Sequence, residues 1–375
     1  MNASWHPDEY LRRKPHLDVR QRVLAAVRGY FAAEDFAEVE TPILQISPGN
    51  EVHLQAFATD LEDPRGGAAQ KRYLHTSPEF AMKKLLVAGV PRLYQLAHTF
   101  RNGERSSLHH PEFLMLEWYR AHATLDAIME DCESLVCAVA TIANRKIFTA
   151  NNMTCDVFAD WERLSVPDAF QRYAGIDLMA FISSPPLAGG TEGGLVDRRA
   201  CVDQPPPSPP ASGRGALTDT TRFAAEARRI GVHVSDGDTW DDLFFRIMGE
   251  KIEPYLGNTC PTFLCDYPIA QAALARPKAS DPRLAERFEL YICGIELANA
   301  FGELTDAAEQ QRRFQVDMDL KEKLYGTRYP IDPDFIAALA HGMPESAGIA
   351  LGFDRLVMLA AGANRVEDVM WLPVG

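Results

Sequence analysis

Apolar residues recur along this chain with two periods, and the points where the period changes mark its elements. Val19, Val23, Val27, Tyr30 and Phe31 fall at helical spacing and predict an amphipathic helix from about Asp18, weakened somewhat by Gly29. Residues 36–44 predict the strand that follows, with Pro42 at its end. A polar hairpin loop spans residues 60–70. Thr76-Ser77-Pro78-Glu79 precedes an apolar helix over 80–87, with Thr76 or Ser77 as N-cap and Glu79 in the first turn. Residues 92–100 and 113–119 are apolar, aromatic-rich and strand-like, and they flank a polar loop. Helices are predicted over 125–139, 166–173, 221–230, 240–252 and 356–361, and a strand over 261–267. Two further strand-like runs, 288–292 and 295–298, meet at Cys293-Gly294, the signature of a tight hairpin. No internal repeat interrupts this order.

Residues 183–218 follow neither period. They are dense in proline, glycine and serine, and they hold too little large apolar surface to order themselves, which predicts a disordered surface loop or an insertion beside a lid. PPPSPP within it fits a polyproline II ligand less well than a passive linker. The remainder has ample apolar content for a large core: 46% of 375 residues are hydrophobic. A formal charge of −14 argues against a default grip on nucleic-acid backbone. Arg12, Arg13, Lys14 and Arg20 form a local basic patch, read first as a solvated terminus. The seven cysteines include no C-x-x-C pair, so neither a zinc ribbon nor a thioredoxin-like motif is supported, and reduced thiols in the cytoplasm are expected. The chain has no 18-residue apolar run and no signal-peptide core, so no membrane association is expected.

The chemistry concentrates in three segments. Glu289, Glu296 and Glu303 recur every seven residues. In the simplest hairpin register Tyr291 faces Glu296 and Glu289 faces Ala298, which makes Glu289 and Glu296 diagonal neighbours on one face. Like charges so placed repel unless a cation sits between them, and hard oxygen ligands of this kind suit Mg²⁺ shared with a polyphosphate. A carboxylate-decorated exposed strand is the plainer alternative. The second segment is the loop between residues 100 and 113, with Arg101, Glu104, Arg105, His109 and His110. An arginine at its start can hold an α-phosphate, and Phe113 beyond it can stack on a base. The third is GIALGFDRLVML, where Gly348 and Gly352 permit close backbone approach and Arg355 opens a helix, placed for a terminal phosphate. A buried hairpin and a strand running into a core helix are the structural alternatives for these two.

Together and in this order, the segments resemble the catalytic domain of class II aminoacyl-tRNA synthetases of the lysyl subgroup. Residues 18–44 resemble motif 1, TSPEFAMKKLL the amino-acid-binding segment, FRNGE…HHPEF motif 2 and GIALGFDR motif 3. The resemblance runs from about residue 15 to the C-terminus with one interruption. It implies an α+β fold, an antiparallel β-sheet flanked by helices. Residues 1–17 are then an N-terminal extension and 18–375 one catalytic domain, carrying the 183–218 insert and a small helical insertion at about 219–257. Seventeen residues are too few for an anticodon-binding OB-fold, so no tRNA anticodon binding is expected. Such shortened paralogues resemble the ligases that attach (R)-β-lysine to elongation factor P, as do GIELANAF, LMLEWYRA and Ala350, where lysyl-tRNA synthetases usually have glycine.

The resemblance also implies roles. ATP, bound bent with Mg²⁺ on Glu289 and Glu296, is contacted by Arg101 at the α-phosphate and Arg355 at the γ-phosphate. Phe113 and Arg355 sandwich adenine, and Asn102, Gly103, Glu104, His110, Leu297 and Gly352 complete the nucleotide site. Ser77, Pro78, Glu79, Glu117, Tyr119, Glu303 and Ala350 surround the amino acid, with Glu303 and Tyr119 on its distal ammonium. The carboxylate attacks the α-phosphorus, and the adenylate then passes to a lysine of elongation factor P. A homodimer through motif 1 is expected. The alternatives are an enzyme activating α-lysine for another acceptor, a related asparagine-type ligase, and an inactive paralogue that serves as a binding subunit. Two positions depart from the family pattern: Gly103 stands where motif 2 usually has glutamate, and His110 where asparagine is common.

Overall fold

The computed structural model describes residues 4–182 and 220–375, so the predicted insert at 183–218 lies outside the described residues. One eight-stranded sheet organises the rest. Its strands are β1 (Ala37–Glu38), β2 (Arg92–Phe100), β3 (Glu112–Ala121), β4 (Glu162–Ser165), β5 (Thr262–Cys265), β6 (Arg287–Ile292), β7 (Ile295–Gly302) and β8 (Ser346–Gly352). They lie in the order β1-β2-β3-β8-β7-β6-β5-β4. The six inner strands pair antiparallel, while β1 on β2 and β4 on β5 are parallel, so the sheet is mixed at its two edges.

Strand alternation sorts the sheet into two faces. Leu116 and Trp118 of β3 and Leu297 and Ala300 of β7 join a core beneath helices α1 (Pro7–Ala33), α3 (Leu125–Ala143) and α8 (Phe353–Ala361). The other face carries the polar side chains. It is flanked by α2 (Glu79–Val87), α6 (Ala307–Tyr325) and α7 (Pro333–Gly342), joined through Met82, Leu86, Phe314, Phe335 and Leu339. Because both faces are covered, β3 and β6 read as nearly continuous buried runs rather than as alternation.

Several elements differ from expectation. Helix α1 begins at Pro7, capped by His6, and absorbs most of the predicted N-terminal extension. The expected strand over 36–44 is two short pieces. Ala37–Glu38 pairs with β2, the chain then leaves the sheet, and Leu44–Gln45 joins a separate three-stranded sheet with Ala58–Leu61 and Gln70–Leu74. Pro42 lies between them, where a residue without N–H cannot continue a ladder. The basic patch is partly solvated, as read, with Arg12 and Lys14 exposed, but its charges are paired within the chain. Arg12 pairs with Asp368, Lys14 with Asp18 and Arg20 with Asp354, and buried Arg13 donates to the carbonyls of Trp371 and Ser4.

Helices α4 (Thr220–Arg229) and α5 (Trp240–Ile247) pack with residues 164–182 around Phe170, Phe223, Trp240 and Phe244, a satellite core at the β4 edge. The predicted 240–252 helix ends early, and a π-turn follows over Met248–Ile252. Helices α6 and α7 were not expected. The buried positions of α6 (Gln310, Phe314, Asp317, Met318 and Lys321) keep helical spacing, but three of the five are polar and hide the period. Asp306, whose carboxylate accepts the N–H groups of Ala308 and Glu309, is the signal available.

Candidate active site

The hairpin of β6 and β7 sets the floor. Cys293 (φ 53°) and Gly294 (φ 69°) form its left-handed two-residue turn, and Tyr291 pairs with Glu296 as expected. A bulge then shifts the register, so Glu289 pairs with Asn299 rather than Ala298. The extra residue keeps Glu289, Tyr291, Glu296, Asn299 and Phe301 on the polar face, and lets the Leu297 side chain pack into the core while the residue borders the cleft.

The amino-acid end is a knot of buried charge. Ser77 Oγ donates to Glu117 Oε1 at 2.6 Å and accepts the Glu79 N–H at 3.0 Å, and Tyr119 donates to Glu117 Oε2 at 3.0 Å. Lys83, one turn beyond Glu79 on α2, places its ammonium against Glu79 and 2.5 Å from Glu303. Glu117, Glu303 and Lys83 are each at most 1% exposed. Both Glu303 carboxylate oxygens lack a well-formed hydrogen bond despite that contact. A side chain at Gly348 would run 2.2 Å from the Tyr119 ring and 2.6 Å from Glu303, so this glycine makes room for those two side chains rather than for a ligand. Pro78 precedes the helix, and Ala350 sits between Asn299 and Glu117 on neighbouring strands.

Three carboxylates (Glu79, Glu117, Glu303) against one ammonium (Lys83) leave two excess negative charges if all ionise. The group resolves this by holding protons. Burial, then repulsion from Glu79, pushes Glu117 up to about 8 against the hydrogen bonds from Ser77 and Tyr119. Burial also raises Glu303. Burial alone would lower Lys83, but Glu303 and Glu79 hold it above its ordinary value. The two partners shift in the same direction because one cation serves several carboxylates: the cation stays charged and a carboxylate keeps its proton.

The nucleotide end lies between β2, β3 and α8. The Arg101 guanidinium sits 5.3 Å over the Phe113 ring, and its buried Nε has no partner. Gly103 turns the loop at φ 84°, and Glu104 borders the cleft. The Asn102 N–H donates to the Gln55 carbonyl at 2.7 Å. Arg355 donates to the carbonyls of Leu108 (3.2 Å) and Glu296 (2.7 Å) and meets His109 Nε2 at 2.8 Å. Its neighbour Asp354 faces away, bound to Arg20 and to the Leu114 N–H at 2.8 Å. At Gly352 a side chain would touch only Arg355, at 3.4 Å, so backbone crowding does not require this glycine.

His110 departs from its expected role. It is 3% exposed, its Nδ1 faces the Glu112 carbonyl, and its Nε2 accepts the Val374 N–H at 3.1 Å, so neither nitrogen is left for a nucleotide. His110 ties the loop to the C-terminal segment, and His109 takes the cleft position beside Arg355. Sequence reasoning assigned no role to His109, Lys83 or Arg287. Only Lys83 carried a signal, its i,i+4 spacing from Glu79.

Glu289 and Glu296 differ in setting. Glu289 is buried, accepts Tyr267 OH at 2.6 Å and Tyr291 OH at 2.7 Å, and pairs with Arg287, whose guanidinium lies 4.2 Å over the Tyr267 ring. The Glu296 carboxylate opens into the cleft with no hydrogen bond among the described residues. Deep placement in the cleft, then repulsion from Glu289, raises it. Among the described residues, no group of three or more His, Cys, Asp or Glu is placed to hold a metal ion by itself. One or two carboxylates are what Mg²⁺ uses when it is shared with a polyphosphate; Glu296 fits that ion, while the oxygens of Glu289 are already held by Tyr267, Tyr291 and Arg287.

Both ends open into one cleft of about 380 Å³, within the range of small-molecule sites. Comparison with known proteins agrees with this arrangement. Residues 11–374 match the family described as tRNA synthetases class II (D, K and N). The chain is 36% identical over 373 residues to the elongation factor P–(R)-β-lysine ligase of Yersinia enterocolitica, covering 100% of this chain and 98% of that one. The ligases so named from Yersinia pestis and Yersinia pseudotuberculosis are each 36% identical over 372 residues, 99% of this chain and 98% of theirs. The arginine-lined cleft, the buried carboxylates behind it and the match along nearly the whole chain have one source: this chain belongs to the class II tRNA synthetases (D, K and N).

Proposed function

We propose that the protein uses ATP to activate (R)-β-lysine as an adenylate and transfers it to a lysine ε-amine of elongation factor P, as the names of its relatives describe. The observation that carries this reading is the excess of two negative charges buried behind a cleft lined by arginines. A diamino acid brings two ammoniums to that knot and leaves its carboxylate facing the nucleotide end. Glu303, already facing Lys83, has hydrogen-bonding capacity left for the distal ammonium, next to Tyr119, and Glu79 and Glu117 serve the other. The unpartnered Nε of Arg101 suits the α-phosphate. Arg355 serves the γ-phosphate and adenine, and Phe113 takes the opposite face of the base.

The substrate carboxylate then attacks the α-phosphorus in line and pyrophosphate leaves. No enzyme nucleophile is needed: catalysis is positioning plus stabilisation of charge on phosphate. Glu296, with Glu289 behind it, would hold Mg²⁺, whose chemistry is to neutralise phosphate charge. Ile43 and Leu44 in the motif 1 segment, and Ile46 just beyond it, are exposed apolar side chains, which supports a homodimer there. A translation factor as acceptor assigns the reaction to the cytoplasm, and no helix among the described residues is long and apolar enough to cross a membrane.

The test is amino-acid-dependent ATP–pyrophosphate exchange with (R)-β-lysine, (S)-β-lysine, α-lysine and aspartate, followed by transfer of labelled amino acid to purified elongation factor P. Exchange strongest with (R)-β-lysine and label on the factor are expected. Preference for α-lysine, or no exchange with any diamino acid, would overturn the reading.

A further inference from the structure

Amide formation releases a proton from the acceptor amine, and the roles assigned above leave no group to receive it. Most carboxylates around the cleft are already engaged. Glu79 faces Lys83, Glu117 is held by Ser77 and Tyr119, and Glu289 by two tyrosines and Arg287. Glu296 fits a metal, and Glu104 lies on the loop beyond Arg101. Glu51 is different. It borders the cleft at the junction of its two ends, against Ser77 and Glu79 on one side and Arg101 on the other. Its side chain is exposed there and makes no hydrogen bond among the described residues.

The backbone beneath Glu51 is unusually fixed for a loop. Lys321 of α6 is fully buried, and its ammonium donates to the carbonyls of Glu51 (3.3 Å), Val52 (2.9 Å) and Leu54 (2.6 Å). The Tyr329 ring lies 4.7 Å from that ammonium, and its hydroxyl accepts the Ala56 N–H at 2.8 Å. The Gln55 carbonyl ties the same loop to Asn102, beside Arg101. A buried lysine spent on loop carbonyls is costly to place unless all its donors are satisfied, as they are here.

We infer that the Glu51 carboxylate, on a loop fixed by Lys321, accepts the proton lost from the acceptor amine at the acyl-transfer step. This rests on the ligase reading above. The free amine nitrogen bonds to the adenylate carbonyl carbon and the carbon–oxygen bond to phosphate breaks. That electron pair leaves with AMP, and the surplus proton on nitrogen passes to Glu51 and then to water. Although its side chain reaches solvent at the cleft mouth, the protein crowded around Glu51 raises its carboxyl above the ordinary range, opposed by Arg101 and assisted by Glu79, which makes it a stronger base.

The test is Glu51→Gln, with adenylate formed in place from ATP and (R)-β-lysine. Three rates are compared with the unsubstituted enzyme: ATP–pyrophosphate exchange, single-turnover transfer to elongation factor P, and capture of the adenylate by hydroxylamine, whose weakly basic nitrogen loses its proton readily to water. Transfer to the factor should fall about 100-fold or more relative to any change in exchange, and hydroxylamine capture should fall no further than exchange does. Equal losses in all three would overturn the inference and make Glu51 a substrate-binding group. Unaltered transfer would overturn it outright. Failure of the ligase reading looks different: the unsubstituted enzyme would then prefer α-lysine or show no exchange with any diamino acid.

Discussion

Binding of a diamino acid should expel protons from this enzyme, by an amount that follows from Glu117. Its carboxyl is held at about 8 by burial and by Glu79, so in the empty pocket it is mostly protonated at pH 7 and mostly ionised by pH 9. Two substrate ammoniums bring the charge that the pocket lacks and favour the ionised form. Glu117 alone should release most of one proton per site at pH 7, falling to a small fraction at pH 9. Glu303, raised in the same way, adds to this. The assay is isothermal titration of (R)-β-lysine in buffers of different ionisation enthalpy, where the slope of observed heat against buffer enthalpy counts protons. Glu117→Gln should remove most of the release at pH 8. Zero release or net uptake at pH 7 would refute the charge-excess account of the pocket. The same carboxyl sets a stability slope in the empty protein. Its folded value lies above the 4.5 of a free glutamate, so the unfolded chain ionises first. The cost is absent below about 4.5 and complete above about 8, roughly 5 kcal/mol in all. Chemical denaturation of Glu117→Gln between pH 5 and 9 should show a correspondingly flatter profile.

Lys83→Met strands Glu79 and Glu303 without their cation, so the empty protein should lose about 3–5 kcal/mol, read as a drop in thermal midpoint. Added (R)-β-lysine should restore more of that midpoint in the variant than it adds to the unsubstituted protein. Glu303→Ala should raise KM for the amino acid about 10–100-fold with KM for ATP within about threefold; equal losses would remove Glu303 from the distal ammonium. Arg101→Ala should slow pyrophosphate exchange by about 100-fold or more at saturating substrates, and an effect confined to KM would argue against a transition-state role.

The elements around the cleft were largely legible where apolar period and chemistry coincide. The helix over 80–87, strands 92–100 and 113–119, and the Cys293-Gly294 hairpin all lie close to their predicted places. What escaped depends on partners remote in sequence. A bulge of one residue is invisible to a period-two pattern, yet it decides that Glu289 meets Asn299. Helix α6 was missed because its inward face is spent on Gln310, Asp317 and Lys321, which serve other segments rather than a core. His110 stands in a motif position and would be assigned to the nucleotide by position alone; only its contacts with Glu112 and Val374 show it spent on holding the chain.

The same distinction explains why the amino-acid end was the harder half to read. The residues proposed for phosphate recognition stand near their motif positions, and each can be judged alone. The amino-acid knot works by a sum. Glu79, Glu117 and Glu303 come from α2, β3 and the end of β7, and none by itself implies a diamino ligand. Lys83 alone suggests an ordinary i,i+4 ion pair. Brought together without water, their charges no longer cancel, and the empty pocket answers by retaining protons on Glu117 and Glu303. A ligand with one ammonium would leave one charge unbalanced there, while a ligand with two balances it. On the proposed function, discrimination against mono-amino acids would follow from the number of buried charges, whereas discrimination among the lysine isomers would fall to fine contacts such as the Ala350 methyl, worth only about 1–3 kcal/mol.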